Sequence, residues 1–276
     1  MRKLAVVLMA CVALAGCSTK FFYNNIDWLL LRYLDDYVEL NEAQEEFVIR
    51  KVAVLSEWHR TEEIPNYIRH LDELMAVEPA KVTLTQLRQQ EQKFQQHSQR
   101  LIARIAPELN AITRDLSDSQ VEELMNSIRV RHTKYKKKYQ TLSEEEIKQR
   151  YKERIEENLE TWIGSLTEQQ ETLLDAWVSE LQITSFDWIN HQTQMRIEVN
   201  SMLSHRLDTE KFEPEFHTMM FNPTSFYAPE LEEKIEHNRN VANQYLVRVI
   251  NLMTPKQTDY YRSELQDWKE LALDIQ

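Results

Sequence analysis

The side chains able to do acid–base or metal chemistry are scattered along the chain. The eight histidines form no HExxH motif, no histidine pair four residues apart and no ExxH repeat, which are the arrangements that place metal ligands on facing helical surfaces. His59 and Glu63 are four residues apart, but a surface salt bridge or a capping role explains this pair better than a metal site does. We therefore expect no metal and no cofactor.

Nucleophilic and phosphate-binding motifs are equally scarce. The chain has two glycines, so neither a GxSxG elbow nor a glycine-rich phosphate loop can be written in it. The sequence favours a binding protein over an enzyme. A hydrolase that acts on envelope material through a carboxylate-based site is the alternative.

One residue, Cys17, has a context that indicates chemical modification. Arg2 and Lys3 precede an apolar run over residues 4–15, which is too short to cross a bilayer and has the length of a signal-peptide core. The run ends in Leu-Ala-Gly-Cys, which resembles the bacterial lipobox. That resemblance implies cleavage before Cys17 and attachment of diacylglycerol, with palmitate-type chains, to its sulfur. An ordinary secretory signal that happens to contain a cysteine is the other interpretation.

Lipidation of Cys17 also predicts the cellular compartment and the division of the chain into segments. Cys11 leaves with the leader, so Cys17 has no disulfide partner, and a thioether would remove this reactive thiol. Ser18 after the cysteine resembles the sorting signal for the outer membrane of Gram-negative cells, with the body on the periplasmic face. We divide the chain into a signal peptide (1–16), an anchor with a short tether (17–23) and a helical body (24–276). Five extended residues after Cys17 reach only about 17 Å, so we expect the body to lie close to the membrane.

The charge of the chain is acidic with one basic exception. Without Arg2 and Lys3 the formal net charge falls from −12 to −14. This negative charge and the predicted location in the cell envelope disfavour nucleic acid as a partner. Residues 129–154 nevertheless carry a local net charge of +6. This stretch is either a solvated helix face or a contact for anionic lipid or cell-wall components. The candidate contact residues are Arg129, Arg131, Lys134, Lys136, Lys137 and Lys138.

Apolar residues recur at helical spacing almost everywhere, and no comparable stretch alternates with period two. We predict an all-α bundle of about eight to ten helices, antiparallel to their neighbours and without a sheet. A boundary near residue 140 stays open. The predicted helices cover residues 24–38, 42–59, 64–76, 84–105, 108–115, 118–140, 144–163, 168–207, 229–252 and 255–274.

Five helix starts are marked by capping boxes, in which a small polar residue precedes Gln or Glu by three positions. The first side chain accepts a bond from a free backbone N–H, and the fourth residue reaches back to the cap. The boxes are Asn41 with Gln44, Ser117 with Gln120, Ser143 with Glu146, Thr167 with Gln170, and Thr254 with Gln257.

Residues 212–228 are predicted to form a non-helical connection rich in aromatic and methionine side chains. A loop of this length inside a compact domain is unusual and is often functional. Its side chains either plug the end of the bundle, with a short helix after Pro214, or form an adaptable surface for an apolar partner. The candidate contact residues are Phe216, Met219, Met220, Phe221, Phe226 and Tyr227.

This sequence resembles two families, one over the whole chain and one at two short motifs. The segment Tyr-Asn-Asn-Ile-Asp-Trp at residues 23–28, with Trp-His-Arg at 58–60 and Ile-Pro at 64–65, resembles a family of proteobacterial lipoproteins known only as a domain of unknown function. The boxes at 116–120 and 166–170 resemble the LTxxQ motif of Spy-type periplasmic chaperones. The first resemblance implies an envelope lipoprotein with no assigned activity, and the second implies a chaperone-like module. We therefore expect a periplasmic binding, scaffold or chaperone-like module, whose partners are the membrane and other envelope proteins, cell-wall material or lipids.

Overall fold

The computed structural model describes Tyr23 and residues 25–276, and these described residues contain helices and no strand. The all-α prediction is therefore confirmed. The predicted leader and Cys17 lie outside the described residues.

Eleven α-helices follow one another along the described part of the chain. A π-helical turn, His59–Glu63, joins the second helix to the third, and 3₁₀ turns lie at Pro79–Lys81 and Pro223–Phe226. The α-helices are α1 (Ile26–Asp35), α2 (Glu42–Trp58), α3 (Ile64–Met75), α4 (Leu84–Asp115), α5 (Asp118–Tyr139), α6 (Glu144–Ile163), α7 (Glu168–Glu180), α8 (Ser185–Ser204), α9 (Thr209–Phe221), α10 (Pro229–Asn251) and α11 (Pro255–Ile275).

All five predicted capping boxes are confirmed. In each, the backbone N–H of the fourth residue donates to the cap side chain, and the side chain of the fourth residue accepts from the backbone N–H of the cap. A sixth box, Thr83 with Gln86, starts α4. Local sequence therefore fixes where six of the helices begin.

The predicted helix over 168–207 is wrong, because the chain breaks after Glu180 into α7 and α8. The backbone of Gln182 exchanges two hydrogen bonds with the side chain of Asn238 on α10, each 2.8 Å long. His237 lies 2.9 Å from the carbonyl oxygen of Glu180. These contacts from α10 satisfy backbone groups that would otherwise bond along a continuous helix.

The predicted break at Pro107 is also wrong, because α4 runs through it from Leu84 to Asp115. A proline inside a helix leaves the carbonyl four residues earlier, here that of Ala103, without its N–H partner. Pro107 and Ala103 are both exposed, while Ala106 beside them is buried. Water can therefore bond the freed carbonyl on the solvent side while the other side of the helix stays packed.

The predicted loop over 212–228 is helical for most of its length. Residues Thr209–Phe221 form α9 with Pro214 inside it, and Pro223–Phe226 forms a 3₁₀ turn. Two prolines and a high aromatic content indicated a loop, but the apolar side chains of α9 pack into a core cluster that stabilises the helix.

The chain divides into two compact units. The first holds the described residues up to 76 together with 265–276, and the second holds residues 77–264. The boundary that the sequence left open near residue 140 coincides with the turn between α5 and α6, inside the second unit. The second unit contains a core cluster formed by buried residues of α6, α7 and α10, namely Leu159, Ile163, Leu174, Trp177, Val178, Val241, Tyr245 and Val249.

Candidate functional site

The basic residues of α5 form a surface of exposed cationic side chains. We call the set Arg129, Arg131, Lys134, Lys136, Lys137 and Lys138 the basic surface; all six members are exposed. At about 100° per residue, they project over roughly 220° of the helix circumference. The remaining arc holds His132, Tyr135 and Tyr139, which are half-buried.

The orientation of α5 is set by the arc that carries no basic residue. His132 places its Nε2 atom 3.1 Å from the carbonyl oxygen of Ile189, so this side of α5 packs against α8. Burial lowers the pKa of His132, the backbone contact opposes this shift, and the nearby positive charges of Arg196 and Lys136 reinforce it. A neutral histidine therefore holds the packed side, and the cations face solvent.

The cations of α6 have a different role from those of α5. Lys148 donates to the carbonyl oxygen of Ser179 at 2.8 Å, and Lys152 forms an ion pair with Asp175 at 2.5 Å, so both lysines tie α6 to α7. In contrast, the structure gives Lys134, Lys136 and Lys137 no ion-pair partner among the described residues. The basic stretch predicted over 129–154 thus separates into a half on α6, whose two lysines bond to α7, and a solvent-facing half on α5.

A tyrosine cluster, Tyr135, Tyr139 and Tyr151, lies between these two halves. The rings of Tyr135 and Tyr139 are 4.7 Å apart, and the guanidinium of Arg150 lies 5.8 Å from the ring centre of Tyr139. Burial raises the pKa of Tyr135, its two tyrosine neighbours add to the increase, and Arg154 opposes it. The phenol of Tyr135 therefore stays neutral at physiological pH. Sequence reasoning missed this cluster, although Tyr135 and Tyr139 are four residues apart on one helix face.

The cluster is also tied to the start of α8. The hydroxyl of Tyr151 lies 3.2 Å from the hydroxyl of Ser185, and it accepts a 3.3 Å bond from the backbone N–H of Thr184. Hydrogen bonds from Tyr151 thus connect the tyrosine cluster to the start of α8.

The predicted partner-binding residues over 212–228 divide between core and surface. Phe216 is buried, with its ring 5.4 Å from that of the fully buried Phe212. Met219 and Met220 are partly buried and pack against the same cluster. Phe221 is 45% exposed, with its ring 4.8 Å from the imidazole of His217.

The end of this segment forms a second aromatic contact. The ring of Tyr227 meets those of Trp188 and His191 edge-on, at 5.5 and 5.0 Å. Burial lowers the pKa of His191, and its contact with the backbone of Phe226 opposes the shift. Phe226 and Tyr227 are both half-buried, so these two residues join the 3₁₀ turn to α8.

The pair His59 and Glu63 lies in the π-helical turn of the first unit. Glu63 is only 1% exposed and accepts a 3.2 Å bond from the side-chain amide of Asn66, so the expected surface position of this carboxylate is wrong. Nδ1 of His59 lies 3.0 Å from the hydroxyl of Tyr23. Burial lowers the pKa of His59, and the charge of Glu63 opposes this shift. Among the described residues, no three His, Cys, Asp or Glu side chains are placed to hold a metal ion.

A shallow, open depression lies on α6 in the second unit. Its lining is Glu153, Glu156, Glu157, Glu160 and Thr161, which all lie on one side of a single helix. Residues 25–276 also contain no helix that combines the length and the apolar character needed to span a membrane.

Comparison with known proteins gives one match. No curated protein and no solved structure matches the chain significantly. A family model does match residues 36–232, starting after the Tyr-Asn-Asn-Ile-Asp-Trp opening. Since this match covers well over half of the sequence, the chain belongs to DUF6279, a family of unknown function.

Proposed function

We propose that this protein is a lipoprotein of the outer membrane, anchored through diacylglycerol on Cys17, whose helical body acts on the periplasmic face as a binding and scaffold module. The support for the anchor is the leader, whose charge, apolar length and lipobox-like end agree with one another. Two or more acyl chains are needed for stable anchoring, and a lipidated cysteine carries that number.

The observation that carries the binding role is the solvent-facing basic surface of α5. Most of the chain is acidic, so six exposed cations on one helix produce a local field opposite in sign to that of the rest of the protein. The partner class that fits is an anionic envelope component that presents phosphate or carboxylate groups. The last-turn lysines also stabilise the helix end through its dipole, but Arg129, Arg131 and Lys134 lie too far from that end for this role.

The test is a charge reversal of Lys136, Lys137 and Lys138 to Glu. Each basic residue near an anionic surface contributes about 1 kcal/mol at moderate salt, so the triple variant should bind roughly a hundredfold more weakly. Binding of residues 18–276 is measured on vesicles containing phosphatidylglycerol and, separately, on isolated cell-wall sacculi. The two arms distinguish the lipid source of the anionic groups from the polymer source.

A charge-matched control separates a local surface from net charge. Reversing Lys81, Lys211 and Lys256 to Glu changes the net charge by the same amount at exposed positions outside α5. We expect this control to bind as the original chain does. Equal losses in both variants, or no loss in the α5 variant, would refute the basic surface as the binding site.

The anchor is tested by mass spectrometry of the N-terminal peptide of the native protein. The expected product begins at Cys17 and carries diacylglyceryl on sulfur. A bare thiol at this position, or a retained leader, would refute the anchor. The chaperone-like activity and the carboxylate-based hydrolase stay predictions from the sequence.

A further inference from the structure

Helix α1 is mostly apolar and amphipathic, and none of its residues is buried. Seven of its ten residues are apolar (IDWLLLRYLD), and no position falls in the buried class. Trp28 is 53% exposed, Tyr33 is 55% exposed and Ile26 is 41% exposed. Exposed apolar side chains clustered on one short helix indicate a surface that is covered by a partner or by lipid. The packing of α1 against α2 covers only part of this surface.

The exposed side chains of α1 have the chemistry of a membrane interface. The guanidinium of Arg32 lies 5.6 Å from the ring centre of Trp28, and the hydroxyl of Tyr33 lies 3.0 Å from that of Tyr37. Tryptophan and tyrosine favour the headgroup region because one part of the ring is apolar and another forms hydrogen bonds. Arginine can place its stem along apolar surface while its charge stays in water.

The chain itself places α1 near lipid if Cys17 is anchored. The hydroxyl of Tyr23 lies 3.0 Å from Nδ1 of His59 and donates to the carbonyl oxygen of Ser56 at 3.3 Å, which fixes Tyr23 to the first unit. Tyr23 is the sixth residue after Cys17, and a fully extended chain of that length reaches about 20 Å. Since α1 begins only three residues after Tyr23, it cannot lie far from the headgroups.

We infer that α1 lies in the plane of the membrane interface, with Ile26, Trp28 and Tyr33 inserted among the headgroups of zwitterionic phospholipid. A ten-residue helix is about 15 Å long, which is too short to cross the bilayer, so it lies along the surface. The helix carries two aspartates and one arginine, hence apolar contact and not charge attraction drives the insertion. The location of α1 at the membrane rests on the proposed anchor, but its affinity for lipid does not.

The experiment uses residues 18–276, which lack the predicted leader and Cys17, with vesicles of pure phosphatidylcholine. Flotation at 0.1 and 0.5 M NaCl measures the bound fraction, and we expect binding that does not depend on salt. Trp28→Ser should weaken it about tenfold, because roughly half of a tryptophan surface is then no longer transferred from water. The matched control is Trp268→Ser, which changes the same residue type at 51% exposure in the same unit.

A measurement on the unchanged chain guards against misfolding of the variant. Amide hydrogen exchange of α1 should slow when vesicles are added, while exchange near Trp268 should not change. Equal losses for the two serine variants, unchanged exchange in α1, or binding that disappears at 0.5 M NaCl would each overturn the inference. Absence of lipid on Cys17 in the native protein would refute the anchor while leaving the vesicle result intact, so the two failures are distinguishable.

Discussion

The two capping boxes at the starts of α7 and α11 share one buried pair of glutamines. Oε1 of Gln170 accepts from the backbone N–H of Thr167 at 2.9 Å, and Oε1 of Gln257 accepts from that of Thr254 at 3.0 Å. Each side-chain amide also donates to the other: Nε2 of Gln257 to Oε1 of Gln170 at 2.8 Å, and Nε2 of Gln170 to Oε1 of Gln257 at 3.2 Å. Each glutamine therefore caps its own helix and bonds to the cap of the other.

Replacing Gln170 by Leu is the perturbation that tests this arrangement. Leucine has a similar volume, and Gln170 is completely buried, so no water replaces the lost bonds. The backbone N–H of Thr167 and one N–H of Gln257 lose their partners. Since each buried polar group left unpaired costs about 1–3 kcal/mol, we expect the free energy of unfolding to fall by roughly 2–4 kcal/mol.

The matched control is Gln86→Leu in the capping box of α4. Gln86 accepts from the backbone N–H of Thr83 at 2.9 Å in the same way, but its side chain is exposed, so water can take the place of the amide. The expected loss is about 1 kcal/mol or less. Urea unfolding followed by circular dichroism at 222 nm and by tryptophan fluorescence compares the two variants.

A double-mutant cycle then measures the coupling between the two boxes. Gln257→Leu alone leaves the backbone N–H of Thr254 and one N–H of Gln170 unpaired. The double variant has no unpaired amide side chain, so its loss should be about 1–2 kcal/mol smaller than the sum of the single losses. Additive losses, or a Gln170 variant no less stable than the Gln86 variant, would refute the shared buried cap.

Two further predictions concern buried polar groups. Burial lowers the pKa of His59, His132 and His191, so the unfolded chain binds protons more readily below about pH 6.5. The free energy of unfolding should therefore fall as the pH decreases from 7 to 5, and urea melts should show a flatter pH dependence when all three are changed to Gln; an unchanged slope would contradict this. Arg206 is buried and donates at 2.8 Å to the carbonyl at the end of α4, so Arg206→Met should cost about 2–4 kcal/mol in urea melts. Asp118→Asn, which changes the exposed partner of Arg206, should cost far less, and equal costs would place the stabilisation in the ion pair instead.

Features that depend on neighbouring residues in the sequence could be predicted. A capping box needs only the cap and the residue three positions later, so all five predicted boxes were identified without tertiary information. The all-α class follows from apolar periodicity for the same reason. The sequence also identified Gln170 and Gln257 as capping-box residues. Nothing in the local sequence indicated that these two side chains would be buried against each other.

Features that depend on distant residues could not be predicted. The break between α7 and α8 exists because Asn238, 56 residues after Gln182, bonds its backbone. The continuity of α4 through Pro107 depends on which side of the helix faces water, and that is set by packing. The first unit's π-helical turn, His59–Glu63, was not predicted either, because such turns are rare and no sequence pattern marked one at this position.

The same distinction decides what the basic stretch means. From sequence, Lys148 and Lys152 are equivalent to Lys134 and Lys137, since all four belong to one cationic run. The structure distinguishes the two pairs, because Lys152 is bonded to Asp175 and Lys148 to Ser179, both on α7. A cation already bonded within the protein would have to give up that partner to bind another. We therefore expect the free energy of the proposed anionic binding to come mainly from α5.

The two proposed contacts with the envelope differ in their physics, and this difference makes them separable. The basic surface attracts by charge, whose range is about 8–10 Å at physiological salt, so raising the salt should weaken it steeply. Helix α1 carries exposed Trp28 and Tyr33 and no excess of positive charge, so salt should leave its binding unchanged. A salt titration on vesicles with and without phosphatidylglycerol thus assigns each fraction of the bound protein to one of the two surfaces. Binding that required both anionic lipid and Trp28 at every salt concentration would show that the two surfaces act together on one ligand and are not separable.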